Sequence, residues 1–294
     1  MNLNSNYPQF TPLDLKHKPL FDAAFKDYPP EISEFTFTNL FSWRQVYGYQ
    51  VSLLNGLIIL RADAGKSTCF MQPIGSGDLA GLIKQVLDDT KGKFCRIPER
   101  LAGFFNNNSF KVEEDRDNFD YLYFFSDLVN LAGRKYDGKR NQIKKFKSEY
   151  KYDYADIKGA EARQILEFEQ AWCSIKGCDI VDGLNKERQA IREIVEHFEE
   201  FKLSCGVIRL KDRICAVAIA QRLNPETLVM HILKADPEIP GLYQVMLNDF
   251  LGANAEDFKY VNLEQDLGIS GLRASKQSYQ PIKLIKKYSI SLKR

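Results

Sequence analysis

Residues 203–235 read LSCGVIRLKDRICAVAIAQRLNPETLVMHILKA. Three apolar runs, Leu203–Leu210, Ile214–Arg222 and Thr227–Ala235, are separated by Lys211-Asp212-Arg213 and by Asn224-Pro225-Glu226. Short Val- and Ile-rich runs bounded by turn residues predict three strands in an antiparallel meander. After Pro240-Gly241 a helix is expected from Leu242 to about Leu251, then a strand at Tyr260–Leu263. Upstream, the pattern predicts a basic helix at Gly138–Glu149, a strand at Tyr152–Ile157, and amphipathic helices at Ala160–Ile175 and Lys186–Phe201. Downstream, Ile282–Tyr288 reads as a closing strand.

The first half carries a weaker version of the same order. Aromatic residues between Phe35 and Tyr47 are spaced for one helix face. Strands at Gln50–Leu54 and Leu57–Ala62 flank Asn55-Gly56, the strongest short hairpin signal. A strand near Ser67–Gln72 leads to a helix Leu79–Asp89, with Asp78 as its N-cap. Strands at Lys93–Ile97, Phe110–Glu114 and Asp120–Phe125 follow, with a short helix after Pro98. The expected class is α+β: two tandem domains, 1–135 and 136–294, each a mixed sheet flanked by helices. The meander, helix and further strand are in the order of the N-acetyltransferase-like (GNAT) fold.

Composition sets the outer limits. A chain of 294 residues holds about two domains of roughly 150 residues each. With 44% hydrophobic and 27% charged residues it is neither disordered, fibrous nor a disulfide miniprotein. No run approaches the roughly 18 apolar residues of a membrane span, and no signal peptide is legible at the start. A cytoplasmic location is therefore expected, with the six cysteines as buried free thiols. Cys173 and Cys178 lack a second pair and a nearby histidine, so no metal site is expected.

The net charge of +2 points to no partner, but its distribution does. From Arg134 to Lys151 there are eight basic residues against Asp137 and Glu149, and from Leu267 to Arg294 seven basic and no acidic ones. Such runs form either solvated faces or a path for phosphates: a nucleotide cofactor, a tRNA acceptor end or an anionic lipid head. Lys139 and Arg140 would line that path. The segment Val261–Pro281, VNLEQDLGISGLRASKQSYQP, places Glu264 and Asp266 just past a strand end, where α/β sheets bind ligands. Arg273, Lys276 and Tyr279 follow at intervals of three, on one face of a helix. They read either as a binding constellation or as an internal salt-bridge cluster. Other motifs are absent or incomplete. Gly65-Lys66-Ser67 lacks the first glycine of a phosphate loop, and His17, His197 and His231 lie far apart. His231, inside a strand, reads as a packed residue.

Phe35–Trp43 (FTFTNLFSW), Leu131–Phe146 (LAGRKYDGKRNQIKKF) and above all Val261–Pro281 resemble the phosphatidylglycerol lysyltransferase C-terminal-domain-like family, over roughly residues 10–290. The resemblance implies a tandem GNAT-like fold, related to the Fem-type peptidoglycan aminoacyltransferases. It also implies transfer of an amino acid from a charged tRNA to a lipid hydroxyl or a peptide amine. The lysyltransferases proper carry a membrane-embedded portion, of which this sequence has no counterpart.

The expected function is thus an acyl- or aminoacyl-transferase acting on an amine or hydroxyl. Glu264 and Asp266 would bind the substrate amine or act as base. Arg273 and Lys276, with Tyr279, would hold its phosphate or carboxylate. The donor stays open between an aminoacyl-tRNA and an acyl-CoA. The single glycine in Lys234–Tyr243 (KADPEIPGLY) speaks against ordinary acetyl-CoA binding. The alternative is a non-catalytic GNAT-like module that binds an anionic metabolite or a protein.

Overall fold

The computed structural model describes residues 5–63, 68–106, 108–254 and 258–293; Ala64–Ser67, with the Gly-Lys-Ser motif, lie outside them. The chain forms two compact units. One comprises Met1–Asp120, Gln265–Leu272 and Leu284–Arg294, the other Tyr121–Glu264 and Arg273–Lys283. Neither unit is one continuous stretch, so a single cut between 135 and 136 does not describe them. The cause is an exchange of strands, visible in the sheets.

The first sheet has seven strands, ordered along the sheet as follows. β1 (Thr11–Pro12), β2 (Gln50–Leu54), β3 (Leu57–Ala62) and β4 (Cys69–Met71) pair antiparallel in succession. The β2–β3 turn has positive φ at both Asn55 and Gly56, as its two-residue hairpin requires. β5 (Lys93–Pro98) is parallel to β4, reached through the helix Leu79–Thr90. Asp78 caps that helix by accepting from the Gly81 N–H at 2.8 Å. Beyond β5 come the last strand of the chain, β14 (Lys287–Leu292), and then β6 (Phe110–Glu114), both pairings antiparallel. Without β14, β5 and β6 would both present unpaired edges.

The second sheet repeats this order. β8 (Asp153–Asp156), β9 (Ser204–Leu210), β10 (Arg213–Asn224) and β11 (Thr227–Ala235) form the expected meander. The helix Leu242–Ala253 crosses to β12 (Tyr260–Asn262), parallel to β11. Next come β7 (Asp120–Phe124), antiparallel to β12, and β13 (Lys283–Ile285). Both sheets are GNAT-like. The expected single strand Ile282–Tyr288 is two strands, because the chain changes sheet at Lys286.

Central position explains the sequence of β10. Every residue from Ile214 to Ala220 is buried, as in a strand covered on both faces. Val217 and Ile219 enter a core with Ile165 and Phe168 of the helix Gln164–Lys176 and with Ile191, Ile194 and Val195 of the helix Asp182–Glu196. Ala216, Ala218 and Ala220 alternate with them, and the small residues on that face admit the helix Leu242–Ala253, which packs on β10.

The first unit encloses a complete charge network. Lys287 and Asp120 are both fully buried, and the Lys287 ammonium donates at 2.6 Å to Asp120 and at 2.6 Å to Glu34. Asp120 also accepts from the Ser33 N–H at 2.8 Å and the Ser33 hydroxyl at 2.9 Å. Arg96 pairs with Glu34 at 2.9 Å and with Asp115. Burial pushes the Glu34 carboxyl above its ordinary range, opposed by Lys287 and reinforced by Asp120.

The cysteines depart from the expectation of free thiols. Cys69–Cys95 and Cys173–Cys178 are disulfides, whereas Cys205 and Cys215 are free and buried. The parallel pairing of β4 with β5 brings Cys69 and Cys95 to a Cα separation of 6.2 Å. Cys178 directly follows Gly177, the left-handed cap of the helix that holds Cys173, and the two Cα atoms are 5.0 Å apart. Tertiary pairing and a helix cap place these sulfurs; sequence spacing alone does not reveal it.

Candidate functional site

The site grows from the parallel pair in the second unit. β11 and β12 pair at Thr227–Tyr260, Leu228–Val261 and Val229–Asn262. Two residues beyond that last rung on each strand stand His231 and Glu264. Their side chains meet, with His231 Nδ1 2.8 Å from Glu264 Oε1. The carboxyl ends of parallel strands are where ligand sites form in such sheets.

A bulge shapes the His231 position. Toward β10, Ile232 faces Ile219 but Met230 faces Ala220, leaving His231 as the extra residue. Bulges re-aim a side chain that a regular ladder would fix. The imidazole is 4% exposed and the Glu264 side chain 19%, so the pair sits at low dielectric with one side toward solvent. Glu264 has φ of 57°, which non-glycine residues seldom adopt. Its backbone is held there. The Glu264 N–H donates to Asn262 Oδ1 at 2.8 Å and its carbonyl accepts from the Tyr121 N–H at 3.2 Å.

The other expected site residues have varied surroundings. Asp266 is fully buried and accepts from Arg116 at 3.1 Å and from the Gly268 N–H at 2.9 Å. It belongs to the first unit, Glu264 to the second, and each carboxylate has its own partner. Lys276, on the helix Ser270–Gln277, donates to the Leu263 carbonyl at 2.6 Å, while its own carbonyl accepts from the Tyr123 hydroxyl at 2.7 Å. Arg273 is half-buried on the same helix. Arg140 ties the turn ahead of its own helix, donating to Gly133 O at 2.8 Å, to Leu131 O and to Asp137. That engagement favours a structural role for Arg140 over the phosphate path.

Lys139 and Tyr279, 140 positions apart in sequence, are brought together: the Lys139 ammonium stands 4.2 Å above the centre of the Tyr279 ring. Burial lowers the Lys139 pKa and raises that of Tyr279. Along the same basic helix, Asp137–Glu149, an open cleft of about 570 Å³ is lined by Leu131, Ile143, Lys144, Lys147 and Asn248, among others. Lys147 pairs there with Asp249 at 3.0 Å.

The start of the helix Leu242–Ala253 is closed. A Cβ on Gly241, which has φ of 85°, would lie 2.7 Å from the Gln142 carbonyl oxygen. The glycine thus admits the chain's own basic helix at this point.

His231 is the residue that sequence reasoning missed. A signal was present: in β11 the polar residues His231 and Lys234 are three apart, so the two-residue alternation slips by one between them. Lys234 then turns into the helical side of the sheet, pairing with Glu169 at 2.9 Å and Glu187 at 2.8 Å.

The family model described as phosphatidylglycerol lysyltransferase, C-terminal, matches residues 25–291. An uncharacterized protein of Mycoplasmoides gallisepticum is 25% identical over 184 residues, which is 62% of this chain and 58% of that relative. A crystal structure of a conserved protein of unknown function from Bacteroides thetaiotaomicron superposes with a TM-score of 0.89 at 32% identity, covering 97% of this chain and 99% of that one. The structure of L-PGS from Bacillus licheniformis superposes with a TM-score of 0.66 at 12% identity, covering 99% and 94%, and at that identity it speaks for the fold. Among the described residues no helix is long and apolar enough to cross a membrane.

Proposed function

The chain belongs to the phosphatidylglycerol lysyltransferase C-terminal family, and from that premise we propose that it transfers an aminoacyl or acyl group from an activated ester to an amine or hydroxyl. The observation that carries the reading is the His231–Glu264 pair at the bulge and strand ends. Glu264 orients the imidazole through Nδ1, so that Nε2 can take a proton from the attacking group. The acceptor oxygen or nitrogen then bonds to the ester carbonyl carbon. As the tetrahedral intermediate collapses, the ester C–O bond breaks and the imidazolium returns its proton to the leaving hydroxyl. Glu264 stabilises the imidazolium between those steps.

An aminoacyl-tRNA is the favoured donor. Gly241 packed against Gln142 speaks against a CoA pyrophosphate at that helix start. The basic helix supplies cations for a polyanionic donor.

The test offers the protein pooled aminoacyl-tRNAs or acyl-CoAs, with ethanolamine and glycerol as surrogate acceptors, and detects product by mass spectrometry. Product from aminoacyl-tRNA is expected. His231→Asn should lose about 10²–10⁴ of the rate, the usual contribution of general base catalysis. Glu264→Gln should lose less, with both variants folded by circular dichroism. Consumption of neither donor above background would overturn the transferase reading. Unchanged rates in His231→Asn would overturn the role of the pair.

A further inference from the structure

The second unit holds a knot of tyrosines whose hydroxyls are unequally used. Tyr123 interacts electrostatically with Tyr121, Tyr136, Tyr243 and Tyr279, so the five phenols share one region. Two hydroxyls are committed: Tyr123 donates to the Lys276 carbonyl at 2.7 Å, and Tyr136 to the Tyr279 carbonyl at 3.0 Å. These bonds and the Tyr279 N–H to Lys276 carbonyl bond at 3.2 Å pin the backbone that carries Tyr279. The Tyr279 side chain is thereby fixed at 3% exposure, yet its hydroxyl has no hydrogen-bond partner among the described residues. Buried hydroxyls without a partner are rare, because they have given up water for nothing.

Lys139 is the second unsatisfied group. Its ammonium stands over the Tyr279 ring, half-buried, and makes no ion pair among the described residues. The acidic residue of its own first turn, Asp137, is engaged by Arg140. Burial raises the phenol of Tyr243, a neighbour of Tyr279, to about 12.

We propose that Lys139 and the Tyr279 hydroxyl, with Tyr243 beside them, form a binding site for a single monoanionic oxygen group of the phosphodiester or carboxylate class. One such group satisfies both needs at once: a counter-charge for the ammonium and an acceptor for the phenol. A monoanion balances the one cation, whereas a phosphate dianion would leave a net negative charge against aromatic walls. The ring under the ammonium is the ring that bears the hydroxyl, so the two groups belong to one locality. The site needs no transfer step, and its test is independent of the transferase reading.

The experiment is a titration of the intact protein, its lysine Cε carbons labelled for NMR, with dimethyl phosphate, acetate and uncharged trimethyl phosphate. Saturable movement of one lysine signal is expected with at least one of the two anions and none with trimethyl phosphate. That signal should vanish in Lys139→Met and persist in Lys144→Met. Tyr279→Phe should weaken binding at least ten-fold while its melting temperature holds or rises, because only an unpartnered hydroxyl is removed. Tighter binding of dimethyl phosphate assigns a phosphodiester, and tighter binding of acetate a carboxylate. No saturation with either anion, or equal titration in Lys139→Met, overturns the site. So does a clear loss of stability in Tyr279→Phe, which would mean that the hydroxyl serves the fold.

Discussion

The two sheets share one strand order and put it to different uses. In each, an antiparallel series passes through a helix to a parallel strand, beside which a strand from the other half of the sequence is inserted. In the first unit the inserted strand, β14, brings in Lys287, and the charges around it are satisfied by Glu34, Asp120, Arg96 and Ser33. In the second, the parallel pair ends in a bulge that presents His231 to Glu264, and a phenol without a hydrogen-bond partner among the described residues stands near Lys139. Topology therefore supplies the position and does not supply the chemistry. Ionisable groups that are fully paired hold a fold together; the histidine on the bulge is paired with a carboxylate that is itself partly open to solvent.

The comparison can be broken most directly by exchanging the penalties. Removing His231 should cost about 10²–10⁴ in transfer rate and little stability. Lys287→Met should do the reverse, destabilising by about 3–5 kcal/mol because it takes the buried ammonium from Asp120 and leaves Glu34 with Arg96. Denaturant titration together with a transfer assay checks both. Large rate loss and intact stability in Lys287→Met would erase the distinction between the units.

A smaller effect separates the two disulfides. Cys69–Cys95 spans 26 positions and Cys173–Cys178 spans 5. Loop-closure entropy assigns about 3.5 kcal/mol to the former and about 2 to the latter. Cys69→Ala/Cys95→Ala should therefore lower the denaturation midpoint more than Cys173→Ala/Cys178→Ala. Thiol titration of the denatured, unreduced protein should find Cys205 and Cys215 alone reactive.

The smallest effect is alkaline. Burial raises Tyr243 to about 12 and carries Tyr123 and Tyr279 above their ordinary value of 10.0. The folded state retains phenolic protons that the unfolded chain releases. Their contribution is complete below the unfolded value and is lost as pH rises from there through the folded values. Melting temperatures should fall above about pH 10, less steeply in Tyr279→Phe than in the parent. An identical slope in both would show that Tyr279 does not contribute.

Much of this was legible in one dimension. The meander Leu203–Ala235, the hairpin at Asn55-Gly56 and the basic helix are local patterns: alternation, a turn dipeptide, a helical period. Local pattern also marked Glu264 as a residue past a strand end. It could not separate Glu264, which reaches a histidine, from Asp266 two positions on, which is buried against Arg116. The left-handed turn at Glu264, followed by another at Leu267, sends neighbouring side chains to unrelated partners.

The sequence by itself determined most of the element order and the family, because those depend on spacing between near neighbours. The tertiary structure alone decided the strand exchange between sheets, the pairing of four cysteines, and the meetings of His231 with Glu264 and Lys139 with Tyr279. Strand register and a bulge bring His231 to Glu264 and Cys69 to Cys95, where a one-residue shift would send those side chains to the opposite face, whereas a helix cap places Cys178 by Cys173 and the basic helix carries Lys139 to Tyr279.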